Sequence, residues 1–199
     1  MTARLAVMLS GSGRTLLNLV ECIRAGRLHA EIALVIASRD CLGVERARRA
    51  GIETVILKGE IPRDVLQHTL TQHRIDWVVL AGYLKRIAIP PAYRGRIVNI
   101  HPSLLPEFGG HGMYGHHVHE AVLRAGRDRS GCTVHLVDDE YDRGPILLQK
   151  SCPVLPGDTP DTLAARVFEL ECRAYPEALE RLLASGVLPM AGPRKGENR

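Results

Sequence analysis

Leu5-Ala6-Val7-Met8-Leu9-Ser10-Gly11-Ser12-Gly13-Arg14-Thr15 reads as a strand, a glycine-containing turn and the opening of a helix. Five consecutive apolar residues suit a strand covered on both faces, as in parallel sheets. Beyond the turn, Leu16, Leu19, Val20 and Ile23 recur at helical spacing within Thr15–Ala25. A strand leading straight into a helix is the opening unit of an open α/β sheet.

Working outward, the unit repeats. Glu31–Ala37 predicts a second buried strand and Leu42–Ala50 an Arg-rich helix that Gly51 would stop. Thr54–Leu57 predicts a third strand, and Pro62–His73 a helix with Val65, Leu66 and Leu70 as its apolar stripe. Trp77–Ala81 and Arg96–Ile100 supply the fourth and fifth strands. Then the pattern changes: Cys132–Val137 alternates, Asp138–Pro145 is a loop, and Ile146–Val154 runs back as an antiparallel partner. Thr159–Ser185 closes with a long helical pattern, interrupted at Tyr175-Pro176. The expectation is an α/β, Rossmann-like fold: a mostly parallel twisted sheet, helices on both faces, and a C-terminal antiparallel hairpin. One domain is expected over 1–189, with halves at 1–100 and 101–189. The polar stretch 190–199 is expected to be a disordered tail.

Composition narrows the class. The chain has 199 residues, 45% hydrophobic and 24% charged, an ordinary balance for a globular protein. A formal charge of +4 without any Lys/Arg block favours small anionic ligands over nucleic acid. Five cysteines, an odd number without CxxC spacing, indicate neither a disulfide framework nor a zinc knuckle. The first apolar run is too short for a signal-peptide core or a membrane span. A reducing, cytoplasmic setting is expected.

Three stretches carry chemistry. In Ile97-Val98-Asn99-Ile100-His101-Pro102, the two-residue period places Asn99 and His101 on one face, and Pro102 ends the strand where the imidazole emerges. An amide beside an imidazole suits oxygen stabilisation with proton transfer; a buried hydrogen-bonded pair is the alternative. The turn Ser10–Thr15 lacks a full GxGxxG pattern and a Walker lysine, yet sets free N–H groups at a helix N-terminus, where an anion is favoured. Arg14 would add a charge-assisted contact, and no acid ends the second strand to suit NAD. The acidic loop Asp138-Asp139-Glu140-Tyr141-Asp142 leaves through Gly144-Pro145. If its hairpin lay beside the fifth strand, Asp142 would face His101 and raise its pKa. His111, His116, His117 and His119 crowd one segment. With no cysteine and no HExxH spacing, a polar loop at the site's mouth is preferred there, and no metal is expected.

Asn99-Ile100-His101-Pro102-Ser103-Leu104-Leu105-Pro106 with Asp142-Arg143-Gly144-Pro145 resembles the signature of the folate-dependent formyltransferases. The resemblance covers residues 4–188, and the order of parts is similar to that of members acting on glycinamide ribonucleotide in purine synthesis. It implies the formyltransferase fold and formyl transfer from 10-formyltetrahydrofolate to the amine of that ribonucleotide, with the folate as co-substrate. The catalytic trio would be Asn99, His101 and Asp142. Gly13, Arg14, Thr15 and Leu16 would hold the phosphate, and Glu171 would contact the ribonucleotide. Folate would meet Arg63, the segment Leu84, Lys85, Arg86 and Ile87, Asn99, and Val137, Asp138, Asp139 and Asp142. The amine would attack directly while Asn99 and a protonated His101 stabilise the oxyanion and Asp142 keeps His101 charged. Two departures stand out: better-known members carry Ser-Asn where this chain has Arg14-Thr15, and the loop Gly109–His117 looks longer.

The implied partners are two small molecules, without nucleic acid or membrane; a homodimer is left open. A methionyl-tRNA formyltransferase would need an extra C-terminal β-domain, and a formyltetrahydrofolate hydrolase an N-terminal regulatory one. An amino-sugar-nucleotide formyltransferase, or a non-catalytic binding module on the same fold, remains an alternative.

Overall fold

In the first strand, β1 (Ala3–Leu9), uniform apolarity becomes burial: Leu5 through Leu9 are fully inaccessible. The computed structural model describes residues 2–185. After β1 come α1 (Arg14–Arg24), β2 (Ala30–Ala37), α2 (Leu42–Arg49), β3 (Thr54–Ile56), α3 (Arg63–Gln72) and β4 (Trp77–Leu80). A 3-10 turn at Pro91–Tyr93, which no sequence pattern announced, leads to β5 (Ile97–His101). Then follow α4 (His116–Arg124), β6 (Arg129–Leu136), β7 (Ile146–Pro153) and α5 (Pro160–Ala184).

One seven-stranded sheet runs through both halves in the order β3-β2-β1-β4-β5-β6-β7. The first five strands are mutually parallel, and the hairpin β6–β7 adds antiparallel to β5. The chain therefore moves outward from β1 to β3, then crosses to β4 on the other side. Between β1 and β4 the order reverses, and the crevice beyond their carboxyl ends is where open α/β sheets bind ligands.

Alternation within these apolar strands divides the core. Leu5, Val7, Leu9, Val98 and Ile100 pack with α1 and α5 on one face. Ala6, Met8, Val78, Leu80 and Ile97 pack with Leu66 and Leu70 of α3 on the other.

Two expectations need correction. β5 continues through His101, so the imidazole is its last rung, paired across to Thr133 of β6. Also, α5 passes through Pro176 without a break. Proline lacks the N–H that would bond four residues back, which leaves the Cys172 carbonyl without its helical donor. Asn18 of α1 repairs the loss, its side-chain amide donating to Cys172 O at 2.9 Å. One residue earlier, the buried Tyr175 hydroxyl lies 2.9 Å from Leu80 O and 3.0 Å from Val98 O, docking α5 against the end of β4 and the start of β5. The missing donor was foreseeable from Pro176; its repair from a distant helix, which lets α5 continue, was not.

Among the described residues no helix is long and apolar enough to cross a membrane, and the five cysteines are free thiols. The expected tail, 190–199, lies outside the described residues.

Candidate active site

Beyond the carboxyl ends of β1, β4 and β5 opens a cavity of about 490 Å³. Four segments build much of its wall, and α5 and the histidine-rich segment complete it.

The first is the glycine turn and α1. Gly13 takes a positive φ of 72°, and a Cβ there would stand 2.7 Å from Gly43 Cα, so only glycine lets the turn close on α2. No side chain caps α1, which leaves the first-turn N–H groups for an anion. Arg14 and Thr15 line the cavity. Leu16 does not: its side chain is wholly buried in the core, so only its backbone could serve the predicted role.

The second is the strap from Gly82 to Ile87, which includes the predicted Leu84, Lys85, Arg86 and Ile87. It hangs on Ser10. The Ser10 N–H donates to Gly82 O at 3.1 Å, while its hydroxyl oxygen accepts from Leu84 N–H at 2.9 Å and from the Ser38 hydroxyl at 2.8 Å.

The third is the end of β5 with its partner β6. Asn99 pairs in register with His135, whose side chain is 2% exposed. His135 Nδ1 lies 2.9 Å from the Leu136 carbonyl, an acceptor only, so the neutral ring carries its proton there. Nε2 then accepts from the Asn99 amide at 3.1 Å and fixes which way that amide points. His135 was missed in the sequence. The signal was present: in β6, Thr133 and His135 share a face, but only the hairpin register shows that they oppose His101 and Asn99.

The fourth is the acidic loop, and it brings the predicted trio together. Asp142 Oδ2 is 3.5 Å from His101 Nδ1 and accepts the Gly110 N–H at 2.9 Å; its Oδ1 is 3.5 Å from His135 Nε2. His101 Nε2 donates to the Phe108 carbonyl at 2.8 Å. Asp142 and Phe108 both have positive φ, 57° and 54°, a conformation that needs its surroundings to hold it. Gly144 supplies part of that hold, since any Cβ there would overlap the Leu136 carbonyl. Val137, Asp138 and Asp139 also line the cavity, and Asp139 is gripped by Arg94 at 2.7 and 3.3 Å.

Arg63 also stays outside the wall, as Gly13 and Leu16 do. It is exposed at the start of α3, although its charge is felt at Asp139.

The electrostatics correct one expectation. Burial pushes the His101 imidazole below its usual pKa; the charge of Asp142 and the Phe108 carbonyl pull upward without overcoming it. The side chain is 4% exposed, and desolvating a cation outweighs one carboxylate at 3.5 Å. His101 is therefore neutral near pH 7. Burial pushes the Asp142 carboxyl up, but the His135 ring, the His101 imidazole in its charged form and the Gly110 N–H together hold it below the usual carboxylate range. Glu171, across the cavity on α5, is pushed up to about 7 by burial, with Arg14 pulling the other way.

The histidine-rich segment borders the mouth. His111 meets the Tyr141 ring edge-on at 5.7 Å, and His116 lies near Glu120 and Asp161. His119 is 4% exposed with Nδ1 unpartnered, and burial lowers its pKa to about 4. Among the described residues no group of three or more His, Cys, Asp or Glu is placed to hold a metal ion.

A sheet with this switch point, an open helix N-terminus and His101 at the end of β5 beside Asp142 suits a group-transfer type of site. The family model described as formyl transferase matches residues 3–179, so the chain belongs to the formyl transferase family. It is 42% identical over 189 residues to the chloroplastic phosphoribosylglycinamide formyltransferase of Vigna unguiculata, covering 90% of this chain and 60% of that protein. It is also 42% identical over 205 residues to the trifunctional purine biosynthetic protein adenosine-3 of Drosophila pseudoobscura pseudoobscura, covering 98% of this chain and 15% of that protein. The chain thus spans less than two thirds of either relative. Among solved structures it is similar to glycinamide ribonucleotide transformylase 1 from Symbiobacterium toebii, with TM-score 0.85, 38% identity, and 92% and 89% of the two chains covered.

Proposed function

We propose that the chain transfers the formyl group of 10-formyltetrahydrofolate to the amine of glycinamide ribonucleotide, a step of purine synthesis, in a cytoplasmic setting. The observation that carries this reading is convergence: Asn99, His101 and Asp142 meet on the wall of a cavity whose far side holds Arg14, Glu171 and an uncapped helix N-terminus. A phosphate at α1 and a pteridine against the strap 82–87 would bring amine and formyl carbon together near Asn99.

The chemistry follows from protonation states. The substrate amine attacks the formyl carbon and leaves an oxyanion, to which Asn99 donates; an oriented donor of this kind is worth about 3–4 kcal/mol. Neutral His101 has its lone pair on Nδ1, because Nε2–H is committed to Phe108 O. It takes the proton of the attacking nitrogen and becomes a cation beside ionised Asp142. The same proton passes to the departing folate nitrogen, and the C–N bond to folate breaks. His101 therefore begins as base rather than as a standing cation. Because the acceptor's amine is the nucleophile, no Ser or Cys nucleophile is required.

The test is turnover with 10-formyl folate, following appearance of the deformylated folate. Product is expected with glycinamide ribonucleotide and not with methionyl-tRNA or an amino-sugar nucleotide. Formylation of either of the latter in its place would move the acceptor assignment.

A further inference from the structure

Arg14 is anchored differently from the ion-paired arginines of the chain. Arg4, Arg94 and Arg166 each grip a carboxylate oxygen, at 2.9, 2.7 and 2.6 Å. Among the described residues Arg14 makes no ion pair. Its guanidinium carbon lies instead 3.7 Å from the centroid of the Phe168 ring. Phe168 sits on α5 between Ala164 and Glu171, a helical face that lines the cavity. The Asn18 bond to Cys172 fixes that face against α1.

The kind of anchor matters. A carboxylate would both place and neutralise the cation. An aromatic face attracts the guanidinium and limits its rotamers, yet leaves its full charge and its in-plane N–H donors uncommitted. Those donors are suited to bidentate recognition of a phosphate.

We propose that Phe168 is a positioning residue for the acceptor's phosphate: it holds the un-neutralised guanidinium of Arg14 beside the open N-terminus of α1, so that a phosphate monoester meets a cation already in place. This rests on reading the cavity as the formyl-acceptor site.

Phe168→Leu tests it, removing the ring while keeping apolar bulk at a half-buried position. KM for glycinamide ribonucleotide is expected to rise about tenfold, within the range of a cation–π contact, with kcat and KM for 10-formyl folate held. Glycinamide riboside, which lacks the phosphate, should be formylated as before. Phe168→Tyr, which keeps a ring, should restore most of the affinity. In an Arg14→Ala background Phe168→Leu should add nothing. A parallel rise in both KM values, equal loss with the riboside, or a full effect without Arg14 would overturn the proposal. Calorimetry with ribose 5-phosphate reads the claim without turnover: a Kd about tenfold weaker in Phe168→Leu supports it, and an unchanged Kd overturns it. If the unaltered protein formylated neither acceptor, the functional reading would fall while that binding result still decided the role of Phe168.

Discussion

The two halves of the sheet solve different problems. From β1 to β4 the chain is regular, and its contribution to the cavity is largely backbone: the N–H groups of α1, the Gly13–Gly43 contact and the strap that hangs on Ser10. From β5 to β7 the contribution is side chains held in uncommon conformations. Phe108 and Asp142 have positive φ, and Asn99 and His101 face His135 and Thr133 across an antiparallel ladder. Binding an anion requires dipoles that any sequence supplies once the turn closes. Moving a proton requires particular groups at particular atoms, and these sit on β5, on β6 and, for Asp142, on a loop pinned by polar contacts.

The sharpest break in this comparison would come from the second half. Asp142→Asn and His101→Ala should each lower kcat by about two orders of magnitude or more with little loss of stability. A near-normal kcat in either would remove the proton-transfer role. His135→Ala should lower kcat by about tenfold, because the Asn99 amide loses the acceptor that orients it. An unchanged kcat would mean that Asn99 needs no orienting partner. The first half should answer differently: Arg14→Ala is expected to raise KM for the ribonucleotide by about tenfold or more, at least as much as Phe168→Leu and on the order of a charge-assisted contact, and to spare kcat. A pure kcat effect would blur the division.

The smallest effect is on stability against pH. His119 titrates near 6.5 unfolded and near about 4 folded, so between these values the unfolded chain binds the extra proton. Stability should fall as pH drops through that window, and His119→Gln should flatten the slope in urea titrations. Glu171 works with the opposite sign: its folded carboxyl, at about 7, holds a proton the unfolded chain has released, so stability falls as pH rises from 4.5 to 7. Glu171→Gln should therefore steepen what His119→Gln flattens.

Most of the fold was legible because uniform apolar strands and helical stripes are local signals, as in Leu5–Leu9 and in Leu66 and Leu70. Asn99, His101 and Asp142 were legible from strand period, Pro102 and the two-part family signature. What escaped depends on groups distant in sequence. His135 becomes meaningful only when β6 slides into register with β5. The charge state of His101 depends on burial, which a neighbouring acid in the sequence does not reveal. Leu16 carried a predicted ligand role because the motif names a position, whereas the helix turns that side chain inward. Arg63 was placed by analogy and begins α3 outside the wall.

The proline in α5 has one more implication. Its missing donor turns a carbonyl on the helix that carries Glu171 and Phe168 into a fastening point for the helix that carries Arg14. A local defect has become the bolt between two walls of one chamber. Anyone reshaping this end of the cavity should start by leaving Asn18 alone.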